Sequence, residues 1–103
     1  MEYPHMIRVR QIFDNTKLDN ISEEIITQLA DLKLKSAIKP GQSVAVACSS
    51  RGLDNYGMIV KTVITYLKQF KLEPFIIPAM GSHGAATAAG QKRVLAHLGI
   101  IEE

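Results

Sequence analysis

The sequence predicts an α/β fold: a three-layer-like β-α-β-α-β-α unit with a mainly parallel sheet, half of a Rossmann-like arrangement. Three observations carry this. Two short apolar runs, residues 43–48 and 75–78, follow Pro40-Gly41 and Glu73-Pro74 and lead into serine- and glycine-containing loops. Apolar on both faces and short, they read as inner strands of a parallel sheet. The stretch between them has apolar residues at three- and four-residue steps, the period of an amphipathic helix. Strand, helix and strand in that order form a right-handed crossover unit. Both loops then emerge at one edge of the sheet.

The chain is 103 residues long, which suits one domain. Its apolar fraction of 47% and charged fraction of 21% are those of an ordinary globular protein. The net charge is +2, and Lys and Arg are spread along the chain, so no nucleic-acid footprint is indicated. Lys33, Lys35 and Lys39 form the densest basic patch and read as a solvated helix end. A lone cysteine, Cys48, allows neither an internal disulfide nor a cysteine-based metal site, and reads as a small core residue. There is no N-terminal signal pattern and no apolar run of membrane-spanning length. A cytoplasmic location without a membrane partner is therefore expected.

Taken in order, residues 1–5 read as a frayed start, with His5 exposed. Residues 6–13 alternate, Met6, Arg8 and Arg10 against Ile7 and Val9, which predicts a first strand with one wet face. Asp14-Asn15-Thr16 is turn chemistry. Asn20 with Glu23 three residues on predicts a helix start. Ile21, Ile25, Ile26, Leu29 and Leu32 form its apolar stripe, and the helix should fade near Leu34.

After the strand at 43–48 and the loop Ser49-Ser50-Arg51-Gly52, Asp54 or Asn55 is expected to cap a second helix. Tyr56, Ile59, Val60, Val63, Ile64, Leu67 and Phe70 face its core side; Thr62 is among its wet positions. Glu73-Pro74 breaks the chain before the next strand. Thr87 caps a last helix that carries Val94, Leu95 and Leu98 inward and ends at Gly99. His97, in its last turn, suits the negative end of the dipole or lies in water. Ile100-Ile101-Glu102-Glu103 ends with two exposed-looking isoleucines, which suggests a truncated amino-terminal portion of a longer protein.

The two loops carry the chemistry. Arg51 is a permanent charge able to grip a carboxylate in two-pronged fashion. His83, between Gly81 and Gly84, can take or give a proton near neutral pH. Amide groups from Gly81 to Thr87, at a helix start, can hold an anion. Ser49, Ser50 and Ser82 have no acid or base at triad spacing and read as hydrogen-bond donors. Together these describe a site for a small carboxylic acid that exchanges a proton. There is no G-x-G-x-x-G after a strand and no Walker-type lysine. His5, His83 and His97 are too scattered for a tetrahedral metal site.

The run 44–51, the amphipathic helix, then Phe75-Ile76-Ile77-Pro78-Ala79-Met80-Gly81-Ser82-His83-Gly84 with Thr87 and Gln91, resembles the amino-terminal part of the nickel-dependent lactate racemase family. The likeness is strongest to its uncharacterised members with a Met-Gly-Ser-His-Gly-Gly-Ala-Thr run. It spans nearly the whole chain, with residues 78–91 its specific part.

The resemblance implies a two-domain protein that acts on a 2-hydroxycarboxylate and uses a nickel pincer mononucleotide. It makes His83 one of two acid/base histidines. It makes Arg51 a carboxylate anchor, helped by Ser49 and Ser50, and sets Gly81, Ser82, Gly84 and Thr87 at the cofactor. No metal ligand is expected in this chain. Where characterised racemases carry Asp-His-Thr-Arg-Pro, this chain has Ser49-Ser50-Arg51-Gly52, which departs from a lactate site. The second histidine and the cofactor-anchoring Lys and His have no counterpart in these residues, so the chain alone is expected to be inactive. The alternatives are a non-catalytic anion- or nucleotide-binding α/β module, or a structural part that pairs with another chain, as a homo-oligomer or with a carboxy-terminal domain.

Overall fold

The computed structural model describes residues 1–101. The elements run α1 (Ile21–Asp31), a 3-10 turn (Leu34–Ser36), β1 (Ser43–Cys48), α2 (Tyr56–Lys68), β2 (Glu73–Pro78), a 3-10 turn (His83–Ala86) and α3 (Ala88–His97). The chain is a small mixed α/β protein whose β1 and β2 pair in parallel, Ser43 opposite Glu73 and Cys48 opposite Pro78.

Among the described residues the sheet has two strands, not three. Residues 6–13, expected as a first strand, form no ladder and are exposed throughout. Alternation gives a segment a strand's two faces but not a neighbour for its amides. Here those amides are left to water.

The expected burial of both sheet faces also fails. Val44, Val46 and Cys48 point towards the helices, while Ala45 and Ala47 are exposed and Phe75 keeps 50% of its surface. The core lies on the helical side: Cys48, Val60, Met80, Leu95 and Ile100, with Val46, Tyr56, Ile64, Ile76 and Val94 packed against them. The described sheet thus has one covered face and one open face, in place of the three layers expected.

β2 begins at Glu73 rather than after a break at Pro74. The ladder explains why Pro74 is tolerated. Glu73 N–H bonds the Gln42 carbonyl at one end, and Ala79 N–H bonds the Cys48 carbonyl at the other. Odd-numbered residues of β2 therefore face β1, and Pro74, Ile76 and Pro78 face the outer edge, where a missing N–H costs no ladder bond.

α1 starts as predicted. The Asn20 side chain accepts from the Glu23 amide, and its own amide donates to the Glu23 carboxylate at 3.1 Å. The helix stops at Asp31, and the chain reaches Leu34 through Lys33 in a left-handed conformation. α1 packs on α2, where Ser22 and Thr62 hydroxyls meet at 3.2 Å. Thr62, expected on the wet side, is therefore part of a helix–helix contact. Asn55 precedes α2 with a left-handed backbone, and its side chain makes no cap bond. Tyr66, which lies outside the predicted core face, is buried and meets Phe70 edge to face at 5.1 Å.

α3 ends in a Schellman turn: Gly99 at φ 82° donates to the Ala96 carbonyl, and Ile100 donates to Leu95 at 2.9 Å. That turn swings Ile100 inward to 8% exposure, correcting its expected exposure; Ile101 does stay exposed. Glu102 and Glu103 lie outside the described residues. No helix among the described residues is long and apolar enough to cross a membrane.

Candidate functional site

The loop after β2 is held in an unusual conformation. Gly84, Ala85 and Ala86 are all left-handed, at φ 63°, 57° and 54°. For alanine this costs about 1–2 kcal/mol per residue, so neighbouring contacts must hold it. They come from the start of α3. A Cβ on Gly90 would lie 1.8 Å from the Gly84 carbonyl oxygen, so the two glycine backbones touch directly. Thr87 Oγ1 donates to the Gly84 carbonyl at 3.1 Å and accepts the Gly90 amide at 3.0 Å, as a cap. Gln91 Nε2 donates to the Gly81 carbonyl at 2.9 Å. At the loop's near end the His83 amide bonds the carbonyl of buried Met80.

The loop after β1 is tied down from below. Cys48 is 1% exposed, and burial pushes its thiol up from the usual value, partly offset by the Tyr56 hydroxyl. It is a core residue, not a nucleophile. The Tyr56 hydroxyl also accepts the Ser49 amide at 2.9 Å. The tyrosine expected as plain core therefore also aims the loop. Ser49 Oγ accepts the Arg51 amide at 3.4 Å.

The two loops meet where Ser50 Oγ hydrogen-bonds His83 Nδ1. A single bond therefore joins the residue beside Arg51 to the imidazole. With Nδ1 engaged, Nε2 is the ring atom left for a ligand, and the imidazole is exposed. The Arg51 side chain is exposed and makes no ion pair or hydrogen bond among the described residues.

Of the four residues expected at a cofactor, Gly81 has open space beside its Cα, and the Ser82 hydroxyl makes no cap bond. Gly84 is closed off by Gly90, and the Thr87 hydroxyl is spent on both its hydrogen-bonding roles within the loop. Half the expected set is thus occupied by the fold itself. Among the described residues, no three His, Cys, Asp or Glu side chains gather as metal ligands. Two open cavities, of about 590 and 440 Å³, lie elsewhere: one between α1 and the end of α2, one between β2 and α3. His97 Nδ1 bonds the Arg93 carbonyl at 2.8 Å, a role within its own helix.

Sequence reasoning missed three supports: the Ser50–His83 bond, Gly90 and the Gln91 clamp. Gly90 carried a signal, since a glycine in a helix's first turns marks close backbone approach. No family model, curated protein or solved structure matches the chain.

Proposed function

We propose that this chain supplies half of a 2-hydroxyacid site of the racemase or epimerase class. Arg51 holds the carboxylate and His83 Nε2 exchanges the proton of the adjacent hydroxyl. The observation that carries the reading is the Ser50–His83 hydrogen bond, which joins the two strand-end loops. A 2-hydroxyacid has its carboxylate and hydroxyl one carbon apart, so anchors on two loops that meet suit it. Throughout an acid/base cycle at Nε2, Nδ1 keeps its proton. Ser50 Oγ then accepts from Nδ1 in both states, and the ring need not turn between them. The Ser50 hydroxyl proton remains available to the bound carboxylate.

Inversion at carbon also needs a hydride acceptor, which a nickel pincer mononucleotide supplies when bound. Gly84 and Thr87, engaged within the loop, fit that cofactor poorly in this chain. Racemase-like chemistry therefore needs groups beyond these residues, and the chain alone is expected not to turn over.

The open setting of His83 favours a second reading, an anion-binding module without turnover. Calorimetric titration separates the two. On the first reading lactate binds more tightly than propionate, which lacks the hydroxyl; His83→Asn abolishes the difference and Arg51→Ala weakens both. Equal affinity for the two acids, lost only in Arg51→Ala, supports the module instead. Binding of neither acid sinks both readings.

A further inference from the structure

We propose that residues 6–13 form a strand in trans, added to the free edge of β1 in a second copy of the chain. The two halves of this interaction are both present and both unpartnered. Residues 1–20 are exposed throughout, and Ile7 and Val9 keep 81% and 78% of their surface. The arm stands off the body: the radius of gyration is 18.9 Å and the longest extent 66 Å. A compact chain of this length has a radius of about 13 Å.

The ladder identifies the receiving edge. On β2 the outward residues are Pro74, Ile76 and Pro78, and two of the three have no N–H to give. The same parity turns Ser43, Ala45 and Ala47 outward on β1, each with a free donor and acceptor. β1 is therefore the edge open to strand addition.

The faces match as well. Over residues 7–10 the alternation fits: Ile7 and Val9 would continue the apolar layer of Val44, Val46 and Cys48 beneath the helices, and Arg8 and Arg10 would stay on the watery side. Phe13 falls on the inner side too, with Gln11 beside it, and Met6 and Ile12 fall on the outer side. A two-stranded sheet is marginal alone, and a third strand strengthens it.

The occupant is a second copy because the arm of one chain does not lie on its own sheet. Residues 1–20 already stand off their own body, exposed throughout, while the β1 edge of that same body stays open. Between arm and helix Asp14 accepts from the Thr16 amide at 2.9 Å and from its hydroxyl at 2.6 Å. Two copies exchanging arms satisfy each other in a closed, two-fold arrangement.

Sedimentation velocity of the full chain, with amide exchange, tests this. The expected result is a species of twice 11.4 kDa, with Ala45 and Ala47 amides protected at least tenfold over random coil. Removing residues 1–13 should give a monomer of unchanged helix content in which that protection is lost. The double variant Arg8→Pro with Val9→Pro, which keeps the length and deletes a donor on whichever side faces β1, should weaken the dimer at least tenfold. A full-length monomer overturns the proposal even if Ala45 and Ala47 are protected, since the arm then pairs with its own sheet. A dimer that survives loss of the arm overturns it too.

Discussion

Ser50 Oγ meets the imidazole of His83 across the carboxyl end of the sheet, at Nδ1. Thirty-three positions separate the two residues in sequence. Parallel pairing of β1 and β2 brings their loops to one edge, and the side chains close the gap. The bond engages Nδ1 and leaves Nε2 as the open ring nitrogen.

Removing the hydroxyl frees the ring. A typical hydrogen bond contributes about 1 kcal/mol, so Ser50→Ala should lower the preference for the Nδ1–H tautomer about fivefold. Nitrogen shifts of the His83 ring report this directly. Ser50→Thr should restore the wild-type tautomer; an unchanged ring in Ser50→Ala contradicts the assignment.

Gly90 has no room for a side chain. Gly90→Ala forces its Cβ against the Gly84 carbonyl, backbone on backbone. The expected loss is about 2 kcal/mol, from overpacking that no rotamer relieves. In thermal unfolding the midpoint should fall by about 10 °C. An unchanged midpoint shows that the loop does not lie on α3.

Gln91 clamps the loop without being buried in the core. Gln91→Ala should speed amide exchange within residues 81–84 about fivefold through loss of one hydrogen bond. Amides of β1 and β2 should keep their rates. Equal acceleration everywhere would make the clamp a global stabiliser instead.

The Asp14 turn has a pH signature. The Thr16 hydroxyl, then the Thr16 amide, hold the exposed Asp14 carboxyl below its ordinary 3.8. A lowered folded value contributes above the ordinary value and is lost as pH falls through the folded one. The Thr16 amide shift should therefore titrate with a midpoint below 3.8, and Thr16→Val should move that midpoint upward. A midpoint at or above 3.8 in the wild type rules the turn out.

Much of this was legible in the chain. The limits of β1, the Asn20 and Thr87 caps and the glycine stop of α3 follow from side chains acting on their own neighbours. Residues 6–13 show where such reasoning ends: alternation describes the faces of a strand but not whether a partner edge lies beside it. The burial of Ile100 escapes it for a related reason, because a Schellman turn redirects the chain after the last periodic residue. Arg51 and His83 could be placed on one sheet edge from the order of elements alone. The Ser50 contact depends on two side-chain rotamers, which spacing does not reveal. Nor could spacing show that Gly84 opens onto Gly90 and not onto a ligand.

The central claim is that Arg51 and His83 act on one small molecule. Its most direct test is a magnetic-resonance titration with lactate that follows the Arg51 guanidinium and the His83 ring together. The account predicts that both sets of signals move with one saturable midpoint, and that Arg51→Ala removes the response at His83. Movement of the arginine alone, or of neither, would contradict it.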